Sequence, residues 1–366
     1  MIVNAGYRGK VGAGAPKFTY TGTYNIRKDG VVELLTSGTI VFLEPKVIDV
    51  FMVGGGGKGG EPEYNDTPDK AGYGGGGGGY TKTVRRKAIS ANQPITVTVG
   101  AGGTTTAGGG ASAFGTETVS GGSTPSGSAS SRKTGGAGGS GGGGGATSKS
   151  DGGVGGYDGN SGEGSSSGGG GGQGYTTREF GEVTGKLYAG GGGGGRWISA
   201  QSAVVSMGGT GGGGTGSWAK SPNGDTQEAA AGVANTGGGG GGGVRYTNGT
   251  WKALSGASGG SGIVCFREAQ ELPELAGTWV LNERLYAPES TLTFSGTFIW
   301  GTQPDCTRME VNPTSYLYVT RGGTQYAKYQ FSTNTWQETT RTVIFPTGAT
   351  ASDEFRAWLA SNATKQ

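Results

Sequence analysis

The chain has 366 residues, of which 87 are glycine and only 32 % are hydrophobic, so a conventional apolar core must be confined to part of it. Its 29 Lys+Arg against 26 Asp+Glu leave a net charge of +3, too balanced to imply a nucleic-acid or membrane-surface partner. Histidine is absent, which removes the commonest general base and the commonest transition-metal ligand.

Residues 1–17 read as an N-terminal segment, in which Met1–Gly14 shows no apolar stretch of the signal-peptide kind. The best candidate for a membrane span, Ile40–Val53, is short and interrupted by Glu44, Pro45, Lys46 and Asp49. Synthesis and folding in a cytoplasm, without membrane insertion, are therefore expected. Residues 18–53 read as β-strands. Phe18, Tyr20, Tyr24 and Ile26 alternate with polar residues, Lys28-Asp29-Gly30 is a turn signal, and two apolar runs follow, 38–43 and 46–53. The second run, Val47 to Val53, empties directly into Gly54–Gly57.

Between Gly54 and Glu268 glycine comes in pure runs: Gly54–Gly57, Gly74–Gly79, Gly141–Gly145, Gly168–Gly172, Gly190–Gly195, Gly211–Gly214 and Gly237–Gly243. Within this tract Tyr80–Ser90 and Pro94–Val99 read as one hairpin-like pair, with Arg85-Arg86-Lys87 on a solvated strand edge. At the far end Gly256–Gly262 empties into Ile263-Val264-Cys265-Phe266-Arg267. The symmetry predicts that 46–53 pairs with 262–267, making the glycine tract an insertion in a small sandwich. Beyond the boundary at Glu268–Pro273 glycine becomes sparse and Trp279, Trp300, Trp336 and Trp358 appear. Strand signals recur at 277–282, 291–300, 314–320, 325–331 and 335–345. A closing helix is expected, with Thr350 and Asp353 as its capping box and Phe355, Trp358 and Leu359 on one face. Cys265 and Cys306 sit in apolar strand-like contexts and read as buried free thiols.

A glycine tract is either a flexible spacer or a packing material made of backbone. Three features favour packing. The runs lack the serine that linkers mix in, their lengths cluster, and aromatics punctuate the intervals, which disordered segments avoid. Glycine can adopt the polyproline-II conformation with its N–H and C=O groups outward, so that several segments exchange hydrogen bonds laterally. Ordering one residue costs about 1–2 kcal/mol, and one hydrogen bond returns only about 0.5–1.5 kcal/mol. The runs can therefore be ordered only together. The expected fold is mainly β: a small β-sandwich with a large inserted polyglycine-II helical bundle over 18–268, then a small antiparallel β domain with a C-terminal helix over 269–366.

The segments Val47–Gly57 (VIDVFMVGGGG), Gly74–Thr83 (GGGGGGYTKT), Ile95–Gly103 (ITVTVGAGG), Lys186–Gly195 (KLYAGGGGGG), Ala234–Gly243 (ANTGGGGGGG) and Gly259–Arg267 (GGSGIVCFR) resemble the glycine-rich domain of bacteriophage and prophage tail proteins. The resemblance covers roughly residues 18–268. It implies a polyglycine-II bundle of the kind expected in adhesins that tip phage long tail fibres. The glycine-rich extracellular domain of anaplastic lymphoma kinase-type receptors fits less well, because a signal peptide, a membrane span and a cysteine framework are missing. Segment 271–366, with Leu275–Trp279 and the closing Phe355–Asn362, resembles a small C-terminal domain of phage structural proteins.

Enzymatic signatures fail on inspection. Gly185-Lys186 is followed by Leu187 and lacks the upstream glycine of a phosphate-binding loop. Gly152–Asp158 has its aspartate out of register for a calcium repeat. Carboxylate pairs such as Glu61/Glu63 and Asp353/Glu354 lie in loop and cap contexts. No cofactor, metal or catalytic residue is expected. The expected function is a non-enzymatic virion protein, a tail-fibre or tail-tip adhesin binding a host cell-surface glycan or surface protein alongside other virion tail subunits. A spacer or decoration protein is the alternative, and a polysaccharide depolymerase the third reading. A homotrimer is in keeping with phage fibres, although no coiled-coil heptad is present. The candidate loops are Glu61–Tyr73, Trp197–Met207, Ser217–Glu228 and Val244–Lys252, with Tyr64, Tyr73, Trp197, Trp218, Tyr246 and Trp251 as contact residues. The competing reading is that these aromatics cap the lattice or cover the sandwich.

Overall fold

The structure, a computed structural model, describes residues 17–269 except 63–70, 105–106, 126–132, 147–151, 165–167, 183, 199–204, 221–224 and 248–250, together with the strands between 277 and 365. Two antiparallel sheets of five strands lie face to face. In the first, the order is β1 (Phe18–Tyr20), β4 (Gly38–Phe42), β8 (Pro94–Thr98), β9 (Ser112–Phe114) and β10 (Glu117–Val119). In the second, the order is β2 (Tyr24–Ile26), β3 (Val32–Leu34), β16 (Ile263–Glu268), β5 (Lys46–Val53) and β7 (Thr81–Ile89). The remaining strands of this part are β6 (Ala71–Gly72), β11 (Arg196–Ile198), β12 (Trp218–Lys220), β13 (Thr226–Gln227), β14 (Val244–Thr247) and β15 (Trp251–Leu254).

The unbroken apolar run in β5 has a packing cause: both of its faces are buried. Ile48, Val50 and Met52 join Val264 and Phe266 of β16 in the core shared with the first sheet, where Ile40, Phe42, Val97 and Phe114 meet them. Phe51 and Val53 face the other way, with Ile263 and Cys265, against Phe180, Tyr188 and Ala189. The β5–β16 pairing runs from Ile263 opposite Val53 to Glu268 opposite Ile48, so the strand entering the glycine tract lies beside the strand leaving it. The hairpin expected from 80–90 and 94–99 does not form. β7 closes the edge of the second sheet against β5, whereas β8 lies in the first sheet between β4 and β9. The link between them crosses from sheet to sheet through Asn92, which holds a left-handed φ of 58° and donates its amide to the Phe42 carbonyl at 2.7 Å.

The helical parts of the expected fold are overturned. The protein is mainly β, with several small sheets, and among the described residues there is neither a helical bundle nor a C-terminal helical element. Besides strands, the described elements include one turn of 3-10 helix, Glu179–Gly181, and the remaining helical conformation among the described residues is confined to the single positions Lys133 and Ala360. The physical reason lies in where the amides of the glycine runs go. An α- or 3-10 helix closes its hydrogen bonds inside one segment, whereas these runs bond to other segments. Gly75, Gly76 and Gly77 donate to Gly143, Gly240 and Ser123, and three residues on, Gly78, Gly79 and Tyr80 donate to Ser140, Gly237 and Ser120. This run thus has three faces, and every third residue returns to the same neighbour; its three neighbours run antiparallel to it, whereas Gly190 and Gly193, which donate to Gly211 and Gly214, have a parallel neighbour. At the chain's end the expected helix over Phe355–Asn362 lies, apart from Ala360, outside the described residues, and the strand β24 (Ala363–Lys365) follows it.

No side chain fits inside this array. A Cβ built on Gly192 would meet the Gly240 carbonyl oxygen, and one on Gly76 the Gly57 carbonyl oxygen, well inside the 3.0 Å that real Cβ atoms respect. The similar run lengths follow from the ends. Gly54–Gly60, Gly190–Gly195 and Gly237–Gly243 each leave the sandwich side and finish at a strand or turn of the opposite end, while Gly74–Gly79 and Gly256–Gly262 return. The runs are cut to the distance between two β caps.

The strands of residues 277–365 form three antiparallel sheets. β17 (Gly277–Leu281) lies between β23 (Thr342–Phe345) and β24 (Ala363–Lys365). β20 (Tyr316–Arg321) lies between β18 (Ser290–Ser295) and β21 (Thr324–Gln330), and β19 (Met309–Val311) pairs with β22 (Asn334–Trp336).

Two glycine substitutions separate packing from composition. Gly192→Ala forces a backbone displacement at Gly240 and is expected to destabilise by about 3 kcal/mol or more. Gly171, beside which a Cβ would find nothing within 4 Å, should accept alanine with no loss or a gain of about 0.4–1 kcal/mol. Thermal melting of the two variants checks this, and equal melting temperatures would contradict the packing account.

Candidate functional site

The end of the array opposite the sandwich carries two three-stranded sheets, β11-β12-β13 and β15-β14-β6. The glycine runs dictate their geometry. Gly190–Gly195 feeds β11 and 213–217 feeds β12, and both run outward from the sandwich. The two strands therefore leave side by side and pair in parallel, with Arg196 opposite Trp218 and Ile198 opposite Lys220. β14, fed by Gly237–Gly243, turns back through β15, with Val244 opposite Leu254 and Thr247 opposite Trp251. Ala219, Val244 and Tyr246 form a small buried cluster, with Trp197 and Leu254 packed on it. Cys265, at the sandwich end, is fully buried, and burial pushes its thiol well above the ordinary range.

The described flanks of all four sequence-derived loops meet at this outer end. The chain leaves at residue 62 and returns at 71, leaves at 198 and returns at 205, leaves at 220 and returns at 225, and leaves at 247 and returns at 251. Pro62 approaches Gly243, Ser206 approaches Gly193, and Ser206 accepts from the Gly216 amide at 2.9 Å, which fixes those ends to the same cap.

The six proposed contact residues fare differently. Tyr73 is fully buried and Tyr246 is 5 % exposed, so both belong to the cap and offer no contact surface. Trp197 is half-buried against the cap cluster. Trp218 is also half-buried, and its indole N–H donates to Gln227 Oε1 at 2.8 Å. Trp251 lies on β15, and Tyr64 lies outside the described residues. Around the two tryptophans of the β11–β12 pair, Asp225, Thr226, Glu228 and Lys252 are exposed. Such a surface, with aromatic faces, an amide, hydroxyl and both charge signs, is suited to hydrogen bonding and stacking on a polar ligand. Among the described residues no group of three His, Cys, Asp or Glu side chains could hold a metal ion, and no helix is long and apolar enough to cross a membrane.

The sequence reading missed a second polar constellation at the sandwich end. Asp49 of β5 is 4 % exposed and receives Arg85 at 2.9 Å and Arg267 at 3.3 Å. Arg85 is thus an anchored side chain rather than a solvated edge charge. Arg27 reaches Glu179 at 2.6 Å, and Glu179 also accepts from the Tyr188 hydroxyl at 3.2 Å. Burial pulls the Arg27 guanidinium downward, but Glu179 and Asp29 hold it above its ordinary value. The one legible signal was Asp49, a lone carboxylate inside an apolar strand.

A lattice of backbone framed by two β caps defines a glycine-scaffold protein. The chain matches the Glycine-rich domain family over residues 36–269, and it belongs to that family. No curated protein and no solved structure matches it.

The cap is expected to depend on its buried ring. Tyr246→Ala should cost about 3–5 kcal/mol by analogy with other buried aromatics, whereas the exposed Asp225→Ala should change stability by less than about 0.5 kcal/mol. Chemical denaturation of both variants measures this. A Tyr246→Ala loss under about 1 kcal/mol would show that the cap does not hold the array.

Proposed function

We propose that this protein is a non-enzymatic bacteriophage virion component, a tail-fibre or tail-tip adhesin that presents loops from the outer end of its glycine array to the host surface. The observation that carries the reading is that the described flanks of four separate segments, 61–73, 197–207, 217–228 and 244–252, meet on one cap. Loops held on a rigid scaffold are where recognition concentrates. The runs themselves are excluded from this role, because their amides and carbonyls are used on one another. The likeness of its glycine-rich segments to phage tail proteins supports the virion setting. The polar and aromatic make-up of the cap suits a host glycan or surface protein, and the remaining partners are other tail subunits.

A spacer or decoration role is the second reading. The burial of Tyr73 and Tyr246 favours it, because two of the six proposed contact residues serve the cap.

Purified protein added to susceptible bacteria should bind saturably without cutting the surface polysaccharide. Trp218→Ala or Lys252→Ala at the outer cap should weaken binding by about tenfold or more. Ile26→Ser, exposed at the sandwich end, should leave it unchanged. Failure to bind any susceptible host, or equal loss from both ends, would favour the spacer.

A further inference from the structure

Residues 176–182 and 184–188 belong to an excursion from the glycine tract that lies across the outer face of the second sheet. Its arms meet at the Arg178–Leu187 bridge, with Glu179 donating its amide to Lys186 at 2.9 Å and Tyr188 to Thr177 at 3.2 Å. Phe180 and Tyr188 stack on Phe51 with ring centroids 6.0 and 5.4 Å away, and beneath them lie Val53, Ile263 and Cys265. This strap is fastened by charge. Glu179 is held by Arg27, Glu182 by Arg267, and the Phe180 carbonyl accepts from Arg85.

Each of these arginines has a second carboxylate that does not belong to the strap. Arg27 also reaches Asp29 at 2.9 Å and Glu33 at 3.4 Å, while Arg85 and Arg267 share Asp49 at 2.9 and 3.3 Å. Breaking a buried ion pair is costly mainly because it strands the other charge. Here, lifting the strap strands nothing: the guanidiniums keep partners on the sheet, and Glu179 and Glu182 pass into water. The other charged or titratable groups around the strap are Arg178 with Asp158, Lys186 over the Tyr188 ring, Tyr188 itself and Cys265. The glycine array is fastened differently, by backbone hydrogen bonds that no change of side-chain charge releases.

We propose that the 176–188 strap is a charge-latched flap that opens as a unit when Glu179 and Glu182 lose their charge, uncovering the apolar face of Phe51, Val53, Ile263 and Cys265 while the glycine array stays closed. Such a flap is a two-state element, with its switch in the two carboxylates. Cys265 is fully buried under it and is the natural reporter.

The test uses the full chain with Cys306→Ser, leaving Cys265 as the single thiol. Adding Glu179→Gln and Glu182→Gln should accelerate labelling of Cys265 by 4,4′-dithiodipyridine at neutral pH by about tenfold or more, one tenfold step corresponding to about 1.36 kcal/mol. Amide exchange of Gly192 and Gly194 should stay as slow as in the parent. Unchanged labelling, or labelling that rises only together with exchange of those glycine amides, would overturn the proposal. A second measurement covers the case in which the double variant fails to fold. In the unaltered protein, the amides of Glu179 and Tyr188 should exchange about tenfold faster than those of Gly192 and Gly194, and equal rates would overturn the proposal.

Discussion

The structure depends on one contact: a neighbouring carbonyl oxygen standing where a Cβ would be. At Gly54, Gly76, Gly192 and Gly239 the obstructing oxygen belongs to a different segment, Ser120, Gly57, Gly240 and Gly76 respectively. The contact explains why glycine rather than alanine is required, although alanine has the smaller ordering cost. It also explains why the runs are mutually dependent. Gly76 donates to Gly240, Gly192 donates to Gly76, and Gly240 donates to Gly57, so each segment supplies part of the environment its neighbours need. An array of this kind has no apolar interior to speak of, and its cohesion is a matter of shape and directed hydrogen bonds.

That cohesion fixes where variation is allowed. A side chain inside the array collides with backbone, so chemical diversity is pushed to the rim and to the two ends. At the sandwich end the variation is used for ordinary apolar packing, with Phe42 and Phe266 at 5.4 Å and the strap locked against Phe51. At the outer end, among the described residues, a thin cluster of Ala219, Val244 and Tyr246, with Trp197 and Leu254 on it, closes the array. The difference in thickness matters for the functional proposal. The sandwich end is a self-contained core, whereas the outer end is a thin cap where the described flanks of four segments meet.

Much of the framework was legible because its signals are local. Val47 to Val53 is apolar without alternation, which identifies a strand buried on both faces, and its flow into Gly54 mirrors Gly262 into Ile263 closely enough to pair them. The hairpin drawn through 80–99 misled because adjacency in sequence was taken for adjacency in a sheet, while the Asn92 corner moves the chain between sheets. The helical bundle expected of the runs is overturned, since no described run is a helical element, whereas the lateral exchange of hydrogen bonds between runs is present with a repeat of three. The aromatics were the hardest to place. Tyr73 sits directly between Gly72 and Gly74 and shares the burial of its run, a signal that was available, whereas Tyr246 and Trp197 differ only in which face of a short strand they take. The strap was not legible at all, since Arg27 and Glu179 lie 152 residues apart and neither stands in a pattern.

The protein thus combines two kinds of fastening with different sensitivities. The array and the paired sheets are held by backbone groups that carry no titratable proton and by side chains that avoid water, so their stability is set by fit. The strap is held by carboxylates and guanidiniums, whose attraction depends on charge and is shared with a second set of partners on the sheet. A change in charge state therefore acts on one element and leaves the other untouched. In a scaffold whose array admits no added side chain, a movable part has to sit outside that array, and the face over Phe51 and Cys265 is where this chain has one.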